Sequence, residues 1–168
     1  MLKTPMIATL ALALCAPTGA ALAQDAAAGS AIERTVASPT AVISSNASLP
    51  PGSRIVFISG TTPSPLDPAD PENLGDTRQQ TLSVLTKIKA QLQALGMDMG
   101  DVVKMTVFLV GVPENGGRMD SAAMNEVFRT FFGTAEQPNR PTRSTIQVAA
   151  LGRPTMFVEI EAIAATAP

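Results

Sequence analysis

Residues 140–164 read RPTRSTIQVAALGRPTMFVEIEAIA, and the fold turns on how this stretch is read. Two runs rich in β-branched and alternating residues flank the breaker cluster AALGRP, so the stretch reads as two strands joined by a short turn at 150–154. Strand alternation puts Arg143, Thr145 and Gln147 on one face of the first strand, and Phe157, Glu159 and Glu161 on one face of the second. A turn centred near Gly152 pairs Arg143 with Glu161 and Thr145 with Glu159. A guanidinium and two carboxylates then share one sheet face, an arrangement suited to holding a small carboxylate beside an acid or base.

Working outward, DVVKMTVFLVG at 101–111 is β-branched and apolar and predicts a buried strand. Asp120 caps a helix running to about Phe132 that buries Met124, Phe128 and Phe131. Asp76 with Gln79 resembles a capping box, opening a helix that ends near Leu95 and stops at Gly96. Its apolar stripe is Leu82, Leu85, Ile88, Leu92 and Leu95. SRIVFISG at 53–60 is a strand, and 33–36 is a short edge strand. The Ser- and Pro-rich segments 39–52 and 61–73 are loops. The order β–β–α–β–α–β–β gives an α+β protein, a two-layer sandwich of a mixed sheet and two helices. One sheet face packs on the helices. The other, carrying Arg143, Thr145, Gln147, Glu159 and Glu161, meets water or another subunit.

Residues 1–23 hold Lys3, the apolar run MIATLALALCA and the small-residue triplet ALA before Gln24, the pattern of a signal peptide cleaved after Ala23. The expectation is an exported protein, periplasmic or secreted, with no membrane contact after cleavage. A loosely attached arm follows at 24–32, and one domain occupies 33–168.

The absences narrow the chemistry. Cys15, the single cysteine, lies in the leader, and the chain has no His, Tyr or Trp. Without them there is no Ser-His-Asp or Cys-His arrangement and no thiolate- or imidazole-held metal. No acidic run has the ligand spacing of an oxygen-only metal site, so neither a metal nor a cofactor is expected. Loss of Lys3 takes the formal charge from −2 to −3 and leaves no basic block, which argues against nucleic acid. Acid–base work falls to Asp, Glu, Lys, a hydroxyl, the backbone or water.

Six pieces of the chain, VFISGTTP with the proline-rich loop after it, ALGM, DVVKMTVFLV, AAMNEVFRTFFG, RPTRSTIQVAAL and VEIEAIA, resemble the RidA family in order and spacing. This family is also called YjgF-like or endoribonuclease L-PSP. The likeness covers about residues 54–164. It implies a chorismate-mutase-like fold, a homotrimer with sheets inside and three clefts between subunits, and hydrolysis of reactive enamines and imines, of the 2-aminoacrylate and 2-imino acid type, to a keto acid and ammonia. Carried over residue by residue, the substrate-binding arginine falls on Arg143 and the acidic residue of the last strand on Glu159. Thr145 stands where several members have cysteine. Gly60, of the SG motif, has neighbours that line the cleft, and the asparagine of the second helix is Asn125. Many deaminating members have a tyrosine before the first long strand. This chain has none, and Ser45 falls near that position.

From the residues alone, Arg143 serves equally as an anchor for a carboxylate or as a structural partner of Glu161 or Glu159; the resemblance favours the anchor. Glu159 suits either the handling of water and protons or an interfacial hydrogen bond. Thr145 is either a hydroxyl ligand or simply a strand former, and Asn125 either meets the cleft or bonds along the helix surface. Two functions compete: an imine deaminase with Arg143 and Glu159 as its working pair, and a non-catalytic periplasmic binder of small carboxylates or keto acids on the same cleft.

Overall fold

The computed structural model describes residues 31–168. The expected leader, and all but the last two residues of the expected arm, lie outside them. The elements are β1 (Glu33–Thr35), β2 (Asn46–Ser48), β3 (Arg54–Thr61), α1 (Thr77–Ala94), β4 (Val102–Val110), α2 (Ser121–Phe131), β5 (Thr142–Val148) and β6 (Val158–Thr166). This is the expected α+β sandwich, two helices on a mixed sheet, with one strand more than expected. β2 lies inside the segment read as loop, and it pairs with β1 as a separate two-stranded ribbon.

The four-stranded sheet has the order β3-β6-β4-β5. β4 and β5 are parallel and are joined through α2, the kind of crossover a parallel pair requires. β6 lies antiparallel to both β4 and β3. The expected hairpin is therefore overturned: β5 and β6 never touch as neighbours, because β4 runs between them. Met105 is registered with Arg143 on one side and with Ala162 on the other, so Arg143 shares its face with Ala162, not with Glu161. Likewise Thr145 lines up with Val107 and Ile160, and Glu159 with Phe108 and Ile146. Arg143, Thr145 and Gln147 thus belong to the helix-side face with the fully buried Met105, Val107 and Leu109, whereas Glu159 and Glu161 belong to the open face. Phe157 lies just ahead of β6.

The helices begin as their caps dictate. Asp76 Oδ1 accepts from Gln79 N–H at 2.8 Å, and Gln79 Oε1 accepts from Asp76 N–H at 3.0 Å, so the capping box is complete. Asp120 Oδ1 accepts from Ala123 N–H at 3.0 Å. α1 ends where Gly96 takes φ 72°, a left-handed turn that disfavours other residues. The stripe that α1 buries is Val84, Leu85, Ile88 and Leu92, continued at its start by Thr77, Gln80 and Thr81. Leu82 and Leu95 do not belong to it and are 51% and 41% exposed. Each fully buried aliphatic side chain of the stripe contributes roughly 1.5–3 kcal/mol.

Gln80 is wholly buried and fully satisfied. Its Nε2 donates to Gly75 O and Thr155 O, each at 2.8 Å, and its Oε1 accepts from Phe157 N–H at 2.7 Å. A buried amide with all these bonds made is expensive to disturb. It pins the β5–β6 connection to the start of α1 and so sets where β6, with Glu159, enters the sheet.

Candidate functional site

Arg143 is held under α2. Its Nη2 donates to Asn125 Oδ1 at 2.7 Å, and its Nη1 approaches Met124 Sδ at 3.5 Å. The guanidinium carbon stands 4.4 Å from the centroid of the Phe128 ring, a cation–π contact. Among the described residues no carboxylate pairs with it. Among the described residues the one ion pair is Arg78–Glu126, on the surface. Burial first, and then the charge of Arg129, push the Arg143 guanidinium down from its ordinary value to about 10. At neutral pH it remains a cation: half-buried, oriented by a neutral amide, and lacking an anion. The structural reading of Arg143 as the partner of Glu159 or Glu161 is excluded within one protomer, since both carboxylates lie on the opposite sheet face.

Thr145 follows two residues along the same face. Its Oγ1 is buried and has no hydrogen-bond partner among the described residues. A buried hydroxyl left in that state is an open donor and acceptor for a water or a substrate oxygen. Gln147, next in the row, ties down the loop ahead of α2, accepting from Met119 N–H at 2.9 Å and donating to Gly117 O at 2.9 Å.

The second half of the expected site lies on the open face. Glu159 on β6 lies over Gly60 at the end of β3, where the β3–β6 register shifts between Ile58 and Thr61. A Cβ on Gly60 would collide with Oε1 of Glu159, so the glycine gives that carboxylate its seat. Further along the same face a groove of about 380 Å³ is lined by Phe57, Ser59, Lys104, Thr106 and Glu161. Phe57 is 75% exposed here, and Ile55 and Ile146 also face out.

Ser45 is exposed, and its N–H donates to Thr35 O at 2.7 Å. The neighbouring Ser44 makes the tighter link: its Oγ donates to Arg140 O at 2.7 Å and its N–H to Pro141 O at 3.0 Å. The pair of serines therefore lies at the start of β5, near the Arg143 half. The structure joins Arg143 to Asn125, with Thr145 two residues along the same face, whereas Ser45 bonds to Thr35 and touches none of them. Gly60 and Glu159 form a separate pair on the other face. Sequence reasoning missed the role of Phe128 and Met124 as the floor beneath the guanidinium, having read both only as core.

The family model described as endoribonuclease L-PSP matches residues 38–166. The chain belongs to this family, the RidA or YjgF proteins. It is 39% identical over 110 residues to the putative reactive intermediate deaminase TdcF of Escherichia coli K12, covering 66% of this chain and 78% of TdcF. A crystal structure of E. coli TdcF with bound serine aligns with 82% of this chain and 98% of its own at a TM-score of 0.54 and 33% identity. The 2-iminobutanoate/2-iminopropanoate deaminase of the same bacterium is 35% identical over 100 residues, 60% of this chain and 72% of that one. A Rid-family protein of unknown function from Yersinia pestis aligns with 79% of this chain and 98% of its own at a TM-score of 0.61 and 27% identity. This RidA-family chain therefore has relatives that bear the names of imine and reactive-intermediate deaminases, a hydrolase type of enzyme.

Proposed function

We propose that the protein hydrolyses small 2-imino carboxylic acids, and the enamines that tautomerise to them, to keto acids and ammonia. The observation that carries this reading is the half-buried Arg143 cation, oriented by Asn125 and Phe128 and lacking an anionic partner among the described residues. A carboxylate supplies what is missing there, as a bidentate charge-assisted pair. The relatives' names support the reaction. Water adds to the imine carbon, the nitrogen takes up a proton, and the carbinolamine collapses to a carbonyl with release of ammonia. An imine carbon is already electrophilic, so positioning of substrate and water supplies much of the rate, and no histidine is required.

Glu159 is the group for water and protons, and Thr145 the hydroxyl beside the bound carboxylate. Arg143 and Glu159 belong to opposite faces of one sheet, so a single protomer does not present both to one small molecule. We therefore propose a homotrimer in which each site joins Arg143, Thr145, Asn125 and Ser45 of one copy to Gly60 and Glu159 of another. The open face, with Phe57, Ile55 and Ile146 uncovered, supports self-association. The pattern of residues 1–23 supports action outside the cytoplasm.

A second reading is favoured by one feature. The chain has no tyrosine, and a binder of keto acids needs only the Arg143 half of the site. A coupled assay separates the two. An amino-acid oxidase generates imines in situ, and ammonia release is followed with wild-type protein and with Arg143→Ala. Acceleration by the wild type alone is the expected result; saturable keto-acid binding without acceleration selects the binder.

A further inference from the structure

The loop between β4 and α2, residues 111–119, is closed on itself. Val112 N–H donates to Arg118 O at 3.1 Å, Gly117 N–H to Val112 O at 3.0 Å, and Asn115 Nδ2 to Met119 O at 3.1 Å. Paired internally in this way, the loop is a stiff hoop. Among the described residues one side chain bonds the hoop to the neighbouring strand. This is Gln147 of β5, whose Oε1 accepts from Met119 N–H at 2.9 Å and whose Nε2 donates to Gly117 O at 2.9 Å. The hoop presents one donor and one acceptor, and an amide side chain answers both at once. A Cβ on Gly111 would strike Gly117 O and stand 2.9 Å from Gln147 Nε2, so the glycine lets hoop and amide close on the strand.

The hoop ends where α2 begins. Met119 is followed by the cap Asp120, and α2 carries Met124, Asn125 and Phe128, the three residues that seat the Arg143 guanidinium. β5 therefore grips this segment twice, at Arg143 through Asn125 and at Gln147 through Met119. The two grips lie on one face of the strand, about 13 Å apart at the usual rise per residue. One contact would leave the helix free to pivot. Two separated contacts fix its direction as well as its position. The unpartnered hydroxyl of Thr145 belongs to the stretch of strand between them.

We propose that Gln147 is a positioning residue for the carboxylate anchor. It holds the start of α2 against β5, so that Asn125 and Phe128 present Arg143 in its binding orientation. Its hydrogen bonds go to the loop and not to Arg143, so it acts through the helix. The inference rests on Arg143 as the carboxylate anchor.

The test is calorimetric titration of the whole protein with 2-oxobutanoate, on the wild type, Gln147→Ala, Asn125→Ala and the double variant. Gln147 is exposed, so Gln147→Ala is expected to fold, and its circular dichroism spectrum checks that. The expected result is roughly tenfold weaker binding in Gln147→Ala, because Arg143 loses the bond that orients it. The double variant should bind within about twofold of Asn125→Ala, since both substitutions remove one alignment. Gly111→Ala, at a position without positive φ, should weaken binding in the same way. Unchanged affinity in Gln147→Ala, or losses that multiply in the double variant, overturns the inference. Ammonia release from the aminobutyrate-derived imine is read on the same samples, where Gln147→Ala should raise KM and leave kcat within about twofold. A fall in kcat at constant KM also overturns it. Coupled losses of binding in a protein without turnover reject the hydrolase and keep the positioning role. Wild-type turnover that Gln147→Ala leaves untouched does the reverse.

Discussion

Gly60 and Glu159 face each other across the β3–β6 pair, and the carboxylate occupies the space that any side chain at position 60 would need. Gly60 is not among the glycines of positive φ, so alanine is tolerated by the backbone and its effect falls on the carboxylate. Gly60→Ala is expected to cut imine turnover about 100-fold, the usual cost of displacing a positioned group by an ångström. Keto-acid affinity at Arg143 and the circular dichroism spectrum should stay at wild-type values. An unchanged kcat would remove Glu159 from the reaction.

Arg143 is a half-buried cation with no counter-charge among the described residues. Desolvation disfavours it, and its compensation is the Phe128 ring and one amide oxygen. Arg143→Met keeps the volume and the contact with Phe128. It should leave stability within about 1 kcal/mol of wild type, or raise it, because an apolar replacement of a buried ion is often neutral or better. Turnover should fall below detection. Urea melts beside the deaminase assay check both; a large loss of stability would mark Arg143 as structural.

Asn125 accepts from Arg143, and on the proposed reading it is a positioning residue. Asn125→Ala should raise KM roughly tenfold, as the guanidinium loses a charge-assisted bond, with a smaller change in kcat. Asn125→Asp should raise KM as well, because a carboxylate beside the cation competes with the substrate. A fall in kcat alone would place Asn125 elsewhere in the mechanism.

The lowered pKa of Arg143 gives a pH limb with a defined sign. On the proposed reading the cation is the binding form, and burial brings its deprotonation down from the ordinary guanidinium value to about 10. kcat/KM, which reports the free protein, should be independent of this group up to about pH 9 and should decline above about 10. In Arg143→Lys a different amine sets the limb. A profile flat through pH 11 in the wild type would contradict the burial of the site.

Phe57 is the largest apolar side chain left uncovered on the open sheet face, at 75% exposure. Phe57→Asp puts a charge where self-association would bury a ring. It should shift sedimentation from trimer to monomer and abolish turnover, although Arg143 and Glu159 are both unaltered. A monomeric wild type, or an active monomeric variant, would defeat the shared-site reading.

Local structure was largely legible in the residues. Asp76 with Gln79, Gly96 and Asp120 announced both helices, because capping and left-handed turns are chemistry of nearby residues. The face of each strand was also legible, since Arg143, Thr145 and Gln147 do share one, as do Glu159 and Glu161. What alternation does not encode is the neighbour. β5 and β6 look like a hairpin because they are adjacent in the chain, yet β4 is a more apolar partner for both and takes the position between them. That insertion moved Arg143 and Glu159 from one face to two. Leu82 and Leu95 misled in a similar way: they fit the helical period, but the sheet lies under Val84, Leu85, Ile88 and Leu92, and Gln80 is buried for its hydrogen bonds.

If each site is shared between copies as proposed, the separation of Arg143 and Glu159 onto opposite sheet faces makes the activity genetically divisible. Arg143→Ala and Glu159→Ala should each be inactive alone. Unfolded together and refolded as a mixture, they should recover about a quarter of wild-type activity, since one site in four would draw its arginine and its glutamate from copies that still hold them. Two dead proteins would restore one another, and the same arithmetic would let a single defective allele poison sites that its own copies only half own.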